Sequence, residues 1–284
     1  MRPAAEPRIE AEMKSVRVMG ILNVTPDSFS DGGRFLDRGR AVQHALRMAE
    51  AGADMIDVGG ESTRPGSGAV SAAEELDRVI PVIEALSAES PVALSVDTGK
   101  PEVMTAAVHA GATLINDVYA LRQPGALEAA ASLAVPVCLM HMQGSPGDMQ
   151  QDPRYDDVVS EVESFLLERA RLCEHAGIPR RSIVIDPGFG FGKTFGHNCH
   201  LFHALPRFCS HGYDVLVGVS RKRMLGEITG RPLDERMPAS VVAAALAALA
   251  GAAIVRVHDV AGTVDAIKVA RALSQPETIA VPSG

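Results

Sequence analysis

Asp97, Asn116, Asp186 and Lys222 are side chains whose types suit the recognition of a flat, nitrogen-rich heterocycle. Two carboxylates and an amide can accept from or donate to a ring edge, and a lysine can reach a ring oxygen or nitrogen. Such a site discriminates through the cost of leaving its polar groups unpaired. Taken singly, each acid also reads as a salt bridge at a rim. Met140, Phe189 and Phe191 offer apolar walls for a ring, or plain core. A second set suits an anion. Arg256 and His258 are two residues apart and share one strand face, and Arg64 follows Ser62 and Thr63. Donors of this kind fit a diphosphate. Ser220-Arg221-Lys222-Arg223 is expected to open a helix whose free N–H groups and dipole favour an anion. For Arg221 and Arg223 a solvated charged turn is the alternative. Asn23 and Asp31 are oxygen donors for Mg²⁺ bridging a diphosphate, the ion keeping several waters. The sequence shows no protein-only metal cage.

The stretch from Ile183 to Lys193 joins a short apolar run to Asp186 and then to a glycine-aromatic loop. The run suits a strand buried on both faces, and Pro187-Gly188 ends it. Alone, Asp186 reads more readily as a cap for the following turn than as a site. Gly188, Gly190 and Gly192 do not form G-x-G-x-x-G, and Lys193 lacks phosphate-loop spacing, so neither nucleotide fingerprint applies.

These residues need elements to hold them. Strand-like runs occur at 16–23, 55–59, 92–97, 113–117, 136–142, 183–186, 214–220 and 252–259, with a helical segment between each pair. The first helix reads as Gly39 to Gly52 and the second as Ser71 to Ser87, and Thr98 is placed to cap the third. The alternation predicts a single-domain α/β fold, a closed parallel (β/α)8 TIM barrel over 16–274, with a leader at 1–15 and a tail at 275–284. An open doubly wound sheet is the alternative. The barrel is preferred because the strand ends carry Asn23, Asp57, Asp97, Asn116, His141, Asp186, Ser220 and His258, which only a closed sheet would gather at one mouth.

With 284 residues and 46% hydrophobic content, the chain can bury one large core. Its 35 acidic and 27 basic residues give a net charge of −8, which excludes non-specific nucleic-acid binding. No run approaches a membrane span, and the first dozen residues are too polar for a secretory signal. Cys138, Cys173, Cys199 and Cys209 lack C-x-x-C spacing, so reduced thiols and a cytoplasmic location are expected.

Met19-Gly20-Ile21-Leu22-Asn23-Val24-Thr25-Pro26-Asp27-Ser28-Phe29-Ser30-Asp31-Gly32-Gly33, the segment from Asp57 to Gly66, Asp186-Pro187-Gly188-Phe189-Gly190-Phe191, Ser220-Arg221-Lys222 and Arg256-Val257-His258-Asp259 together resemble the bacterial dihydropteroate synthases, from about Val16 to Leu273. The resemblance implies a transferase of folate biosynthesis. In its reaction 4-aminobenzoate displaces diphosphate from 6-hydroxymethyl-7,8-dihydropterin diphosphate, giving 7,8-dihydropteroate by an SN1-like substitution. It also implies site roles. Asp97, Asn116, Asp186, Gly218 and Lys222 would hold the pterin, with Met140 and Phe191 against the ring. Asn23, Thr63, Arg64, Arg256 and His258 would bind diphosphate, with Mg²⁺ at Asn23 and Asp31. Phe29, Thr63, Pro65, Ser220 and Arg223 would surround the aminobenzoate. Catalysis would fall to Asn23, Asp31, Arg64, Lys222, Arg256 and His258, with the loops after strands one and two closing over the diphosphate. Sulfonamides are implied as competitors and a homodimer as the assembly. Gly99, Tyr119 and Arg223 differ from the residues commonest in the family and are expected to alter rim shape or sulfonamide binding without changing the reaction. A barrel passing a methyl group from a folate to a corrinoid partner would share the pterin acids but has no use for Phe29, Asp31 or the 62–66 loop. A silent pterin-binding paralogue would tolerate loss of the diphosphate residues, all of which are present.

Overall fold

Along each strand, alternate residues point to opposite faces, and the two faces meet different partners. Met19, Met55, Leu114, Cys138, Val184, Leu216, Ala253 and Ile254 cluster as one interior plug. Their neighbours, among them Ile56, Val58, Leu94, Val96, Leu139, Ile185, Val215 and Val255, belong to a separate and larger core. This two-sided burial is what a closed sheet wrapped by helices demands, and it is why the strands read as nearly unbroken apolar runs. In this computed structural model residues 16–25, 33–62, 68 and 70–274 are described, with 33–37 as backbone only. The expected leader at 1–15 and tail at 275–284 lie outside them.

The strands are β1 (Arg17–Asn23), β2 (Met55–Gly59), β3 (Ala93–Asp97), β4 (Leu114–Asp117), β5 (Val137–Met140), β6 (Ile183–Asp186), β7 (Asp214–Val217) and β8 (Ile254–Val257). They form one closed parallel barrel in sequence order, β8 pairing back onto β1. The predicted barrel is therefore observed and the open sheet is not. Gly59, Asp97 and Asn116 stand side by side in register, as do Met140 and Asp186. Gly20 faces outward, where an added Cβ would stand 2.8 Å from the Met48 sulfur, so the first helix lies close on β1.

Among the described residues there are ten α-helices. They are α1 (Gly33–Glu50), α2 (Ala72–Glu89), α3 (Pro101–Ala110), α4 (Ala126–Leu133), α5 (Val158–His175), α6 (Phe195–His203), α7 (Leu205–Cys209), α8 (Arg223–Thr229), α9 (Met237–Leu249) and α10 (Val260–Ser274). The one-helix-per-strand expectation thus fails twice, after β6 and after β7. Pro206 opens a new helix at Leu205, and Gly230, in the left-handed region at φ 68°, ends α8. The first helix starts six residues earlier than expected, with Gly39 inside it, and stops as predicted before Gly52 (φ 95°). Ser71 caps α2 through a capping box with Glu74. Thr98 does not cap α3. Its hydroxyl accepts from Lys100 N–H (3.2 Å), and Pro101 opens that helix without a side-chain cap.

The strand ends also need correction. Asp57 lies in the middle of β2. His141 follows β5, Ser220 lies three residues past β7, and His258 follows β8.

Candidate active site

The inward positions nearest the barrel mouth come two residues after the apolar plug. Met55 leads to Asp57, Leu114 to Asn116, Cys138 to Met140, Val184 to Asp186, Leu216 to Gly218, and Ile254 to Arg256. Period two therefore carries each strand from core to site in one step. Arg256 crosses this layer. Its Nε donates to Asp57 Oδ2 (2.6 Å) and its Nη2 to Asp97 Oδ2 (2.7 Å), while Asn116 Nδ2 donates to the same Asp57 oxygen (3.0 Å). The ring-edge set and the anion set, separate groups in the sequence, are one network here. Burial pushes Asp97 upward, opposed by Arg256 and reinforced by Asp57. Burial acts against the Arg256 charge, and Asp57 and Asp97 more than offset it, so the guanidinium stays protonated.

The loop after β6 forms the floor. Gly188 has φ 69°, and a Cβ there would stand 1.9 Å from the His141 carbonyl oxygen, so only glycine fits this close approach. The Gly188 N–H donates to Asp186 Oδ1 (2.7 Å). Lys193 is almost fully buried, which pushes its pKa well down; its Nζ donates to Gly188 O and Phe191 O and lies against His141 Nδ1, each at 2.9 Å. Burial, then Lys193, drives the His141 pKa down to about 2, so the ring is neutral. Lys222 donates to Phe189 O (2.5 Å) and lies 4.6 Å above the Phe191 ring. Burial lowers its pKa to about 8 against the attraction of Asp186, whose own pKa burial raises. Phe189 has no exposed surface and packs on Phe202, so it is core and not a wall for a ring. Phe191 faces the cavity. Met140 lies behind it, in a cluster with Val118, Met142 and Met149.

At the rim, Ser220 Oγ accepts from the His258 N–H (3.1 Å) and stands 3.0 Å from its Nδ1. The expected helix opening at Ser220 is not found: α8 begins at Arg223, and Arg221 sits in the left-handed region (φ 57°). Arg221 is partly exposed at the cavity, and its guanidinium is taken up by a carboxylate. It makes a bidentate pair with Asp259, at 3.0 and 2.5 Å. Arg223 is largely exposed and pairs with Glu227 one turn on (2.6 Å). A cavity of about 860 Å³ is lined by Asn23, Asp97, Phe191, Lys222, Arg256 and His258, with Gly218, Ser220 and Arg223 at its sides. Asn116 and Asp186 are buried beneath it. Phe29, Asp31, Thr63, Arg64 and Pro65 lie outside the described residues, as do the loops expected to close. Among the described residues no three His, Cys, Asp or Glu side chains group as a metal cage. The amide oxygen of Asn23 is nevertheless a donor of the hard type that Mg²⁺ accepts.

The chain that builds this mouth is similar to known proteins. Residues 19–258 match the family described as pterin binding enzyme. Dihydropteroate synthase of Escherichia coli K12 is 52% identical over 92% of this chain and 93% of its own length. The chain belongs to the dihydropteroate synthase family. The solved dihydropteroate synthase of Xanthomonas albilineans with 4-aminobenzoic acid is 60% identical, with TM-score 0.87, over 92% of this chain and 93% of that one. That of Yersinia pestis with a sulfonamide drug is 52% identical, with TM-score 0.87, over 91% and 94%.

Family membership does not by itself reveal which further side chains hold the synthase site in shape. Asp57 was visible only as a strand-end residue, yet it anchors two of the site's donors. A charge framed by Met-Ile and Val-Gly in a buried strand was the available signal. Lys193 was set aside for its spacing and proves to clamp the floor. Lys100 bridges Glu61 and the fully buried Glu75. Gly99 and Tyr119 explain one another, since a Cβ at 99 would stand 2.5 Å from the Tyr119 ring.

Proposed function

We propose that the chain carries out the transferase reaction of its family, joining 6-hydroxymethyl-7,8-dihydropterin diphosphate to 4-aminobenzoate with release of diphosphate. The observation that carries this reading is the single cavity in which Asp97, Lys222 and Arg256 meet, roofing Asn116 and Asp186, with volume for two ligands. Asp97, Asn116 and Asp186 present acceptors to the donor edge of the pterin, and Lys222 donates to its oxygen or ring nitrogen. Phe191 lies against the ring with Met140 packed behind it, and Gly218 leaves room for the ring.

An aromatic amine is a neutral nucleophile at pH 7, so the step needs no strong base. The slow event is departure of diphosphate, whose developing charge meets Arg256, His258, Asn23, Thr63 and Arg64, while the dihydropterin spreads the positive charge left behind. Mg²⁺, held by Asn23 and Asp31, supplies further neutralisation of the leaving group when bound. Phe29, Thr63, Pro65, Ser220 and Arg223 take the aminobenzoate, and sulfonamides, as bound by the Yersinia pestis relative, compete there. No helix among the described residues is long and apolar enough to cross a membrane. Cys138, Cys173 and Cys199 are free thiols, which suits the reducing cytoplasm. A homodimer is supported by the exposed apolar residues of α9 and α10.

The test is diphosphate release from the pterin diphosphate with and without 4-aminobenzoate. Release that depends on the amine is expected. Tight pterin binding with no product would replace this reading with that of a silent pterin-binding protein.

A further inference from the structure

Asp57 has no exposed surface and stands below the cavity that Asp97 and Arg256 line. Its Oδ2 serves two donors, Asn116 Nδ2 and Arg256 Nε, which belong to opposite halves of the proposed site. A carboxylate only accepts, so it fixes the orientation of the Asn116 amide: Nδ2 turns down to Asp57, and Oδ1 is left for the ligand. Arg256 has a second anchor in Asp97, at 2.7 Å from its Nη2. That carboxylate is also the one the pterin's donor edge requires, so ring and guanidinium compete for it. Asp57 is sealed beneath both and faces no such competition.

We infer that Asp57 is a positioning residue, the pivot that keeps Arg256 held by Nε when the pterin takes Asp97, so that the freed Nη2 end meets the leaving diphosphate. The same oxygen keeps the Asn116 acceptor turned toward the ring. Pterin binding thereby readies the cation that the next step needs. The inference rests on the pterin and diphosphate roles proposed above. It goes beyond them in assigning the coupling of the two halves to a residue that touches neither ligand.

The experiment compares wild type, Asp57→Ala, Asp57→Asn, Arg256→Met and the double variant Asp57→Ala/Arg256→Met. It measures kcat for diphosphate release, and by calorimetry the affinity for 6-hydroxymethyl-7,8-dihydropterin, which lacks diphosphate. Asp57→Ala should lower kcat about 100-fold, the scale of a misplaced catalytic group, and weaken the bare pterin less than about tenfold. Asp57→Asn keeps an acceptor without its charge and should recover about tenfold of that loss. In the Arg256→Met background, Asp57→Ala should cost less than about threefold more, because the two act as one unit. A kcat within about threefold of wild type for Asp57→Ala, or the full loss repeated without Arg256, would overturn the pivot. Unaltered protein gives a reading that does not depend on the variants folding. The Arg256 Nε–H resonance should be protected from exchange, and should stay so with the pterin and inorganic diphosphate bound; loss of protection on binding refutes the inference. A wild type that releases no diphosphate removes the functional reading beneath it and the pivot with it.

Discussion

At Lys222 the ammonium is held against its surroundings. Burial lowers its pKa from 10.5 to about 8, and Asp186 offsets that only in part. In the ligand-free site the cost of keeping the charge is present below pH 8 and fades as pH rises from there toward 10.5, where the free side chain would also lose its proton. Stability contributed by this group therefore increases across that window, whereas its capacity to donate to a pterin decreases. The dissociation constant for the pterin is expected to rise above pH 8, approaching about tenfold per pH unit as the free enzyme loses the proton the complex keeps. Calorimetry across pH 6.5–9.5, roughly the span bracketing that pKa, checks it. Lys222→Met should bind the pterin weakly at every pH and show no alkaline limb. An alkaline limb that survives in Lys222→Met would assign the titration to another group.

One level up, the loop from Pro187 to Lys193 works as a unit because its glycines admit backbone where side chains would collide and Lys193 ties two of its carbonyls to His141. Lys193→Met keeps much of the bulk and removes the donor to both carbonyls, leaving buried acceptors at a cost of about 1–3 kcal/mol each when unsatisfied. The expected result is a lower melting temperature, faster hydrogen exchange at the Gly190 and Phe191 amides, and weaker pterin binding in a protein that keeps its barrel. Unchanged exchange at those amides would show the floor to be held by the glycine packing alone. This loop also marks how far the sequence could be read. Its place at a strand end made Asp186 legible as one of the set that a closed sheet gathers at one mouth, and the glycine-aromatic loop after it was visible as a loop. Nothing local connects Lys193 to His141, 52 positions away, or Arg256 to Asp57, 199 positions away. Those pairings arise from barrel closure, and closure also turned Phe189 into the core when its neighbour Phe191 faces the cavity. The doubled helices after β6 and β7 were missed for a simpler reason: Pro206 and Gly230 lie within stretches that alternation alone reads as one helix each.

For the whole molecule, the decisive asymmetry is in α9, whose buried face is made of small residues and whose outer face carries the large ones. Ala243, Ala244, Ala247 and Ala248 are buried, whereas Val242, Leu246 and Leu249 are each about half exposed and recur at helical spacing. The adjacent α10 adds Val269 and Leu273, the latter 81% exposed. A helix fitted only to its own barrel would put its bulk inward. This one keeps its bulk for another surface, and a second copy of the chain is the partner proposed. The pterin residues all lie within one barrel, so dimerisation should not be needed to bind the ring. Arg236 ties the start of α9 to the rim by donating to Arg221 O (3.1 Å), and Ser240 Oγ accepts the Arg221 N–H (2.9 Å). Loss of the partner should therefore be felt at the Ser220–Arg223 turn before it is felt at the floor. Val242→Glu/Leu246→Glu is expected to sediment as a folded monomer, with the pterin dissociation constant unchanged and the KM for 4-aminobenzoate raised by about two- to fivefold, the scale of roughly 0.5–1 kcal/mol. Sedimentation of the unaltered chain as a monomer at micromolar concentration would dismiss the dimer. A double variant that still sediments as a dimer would move the interface to another face.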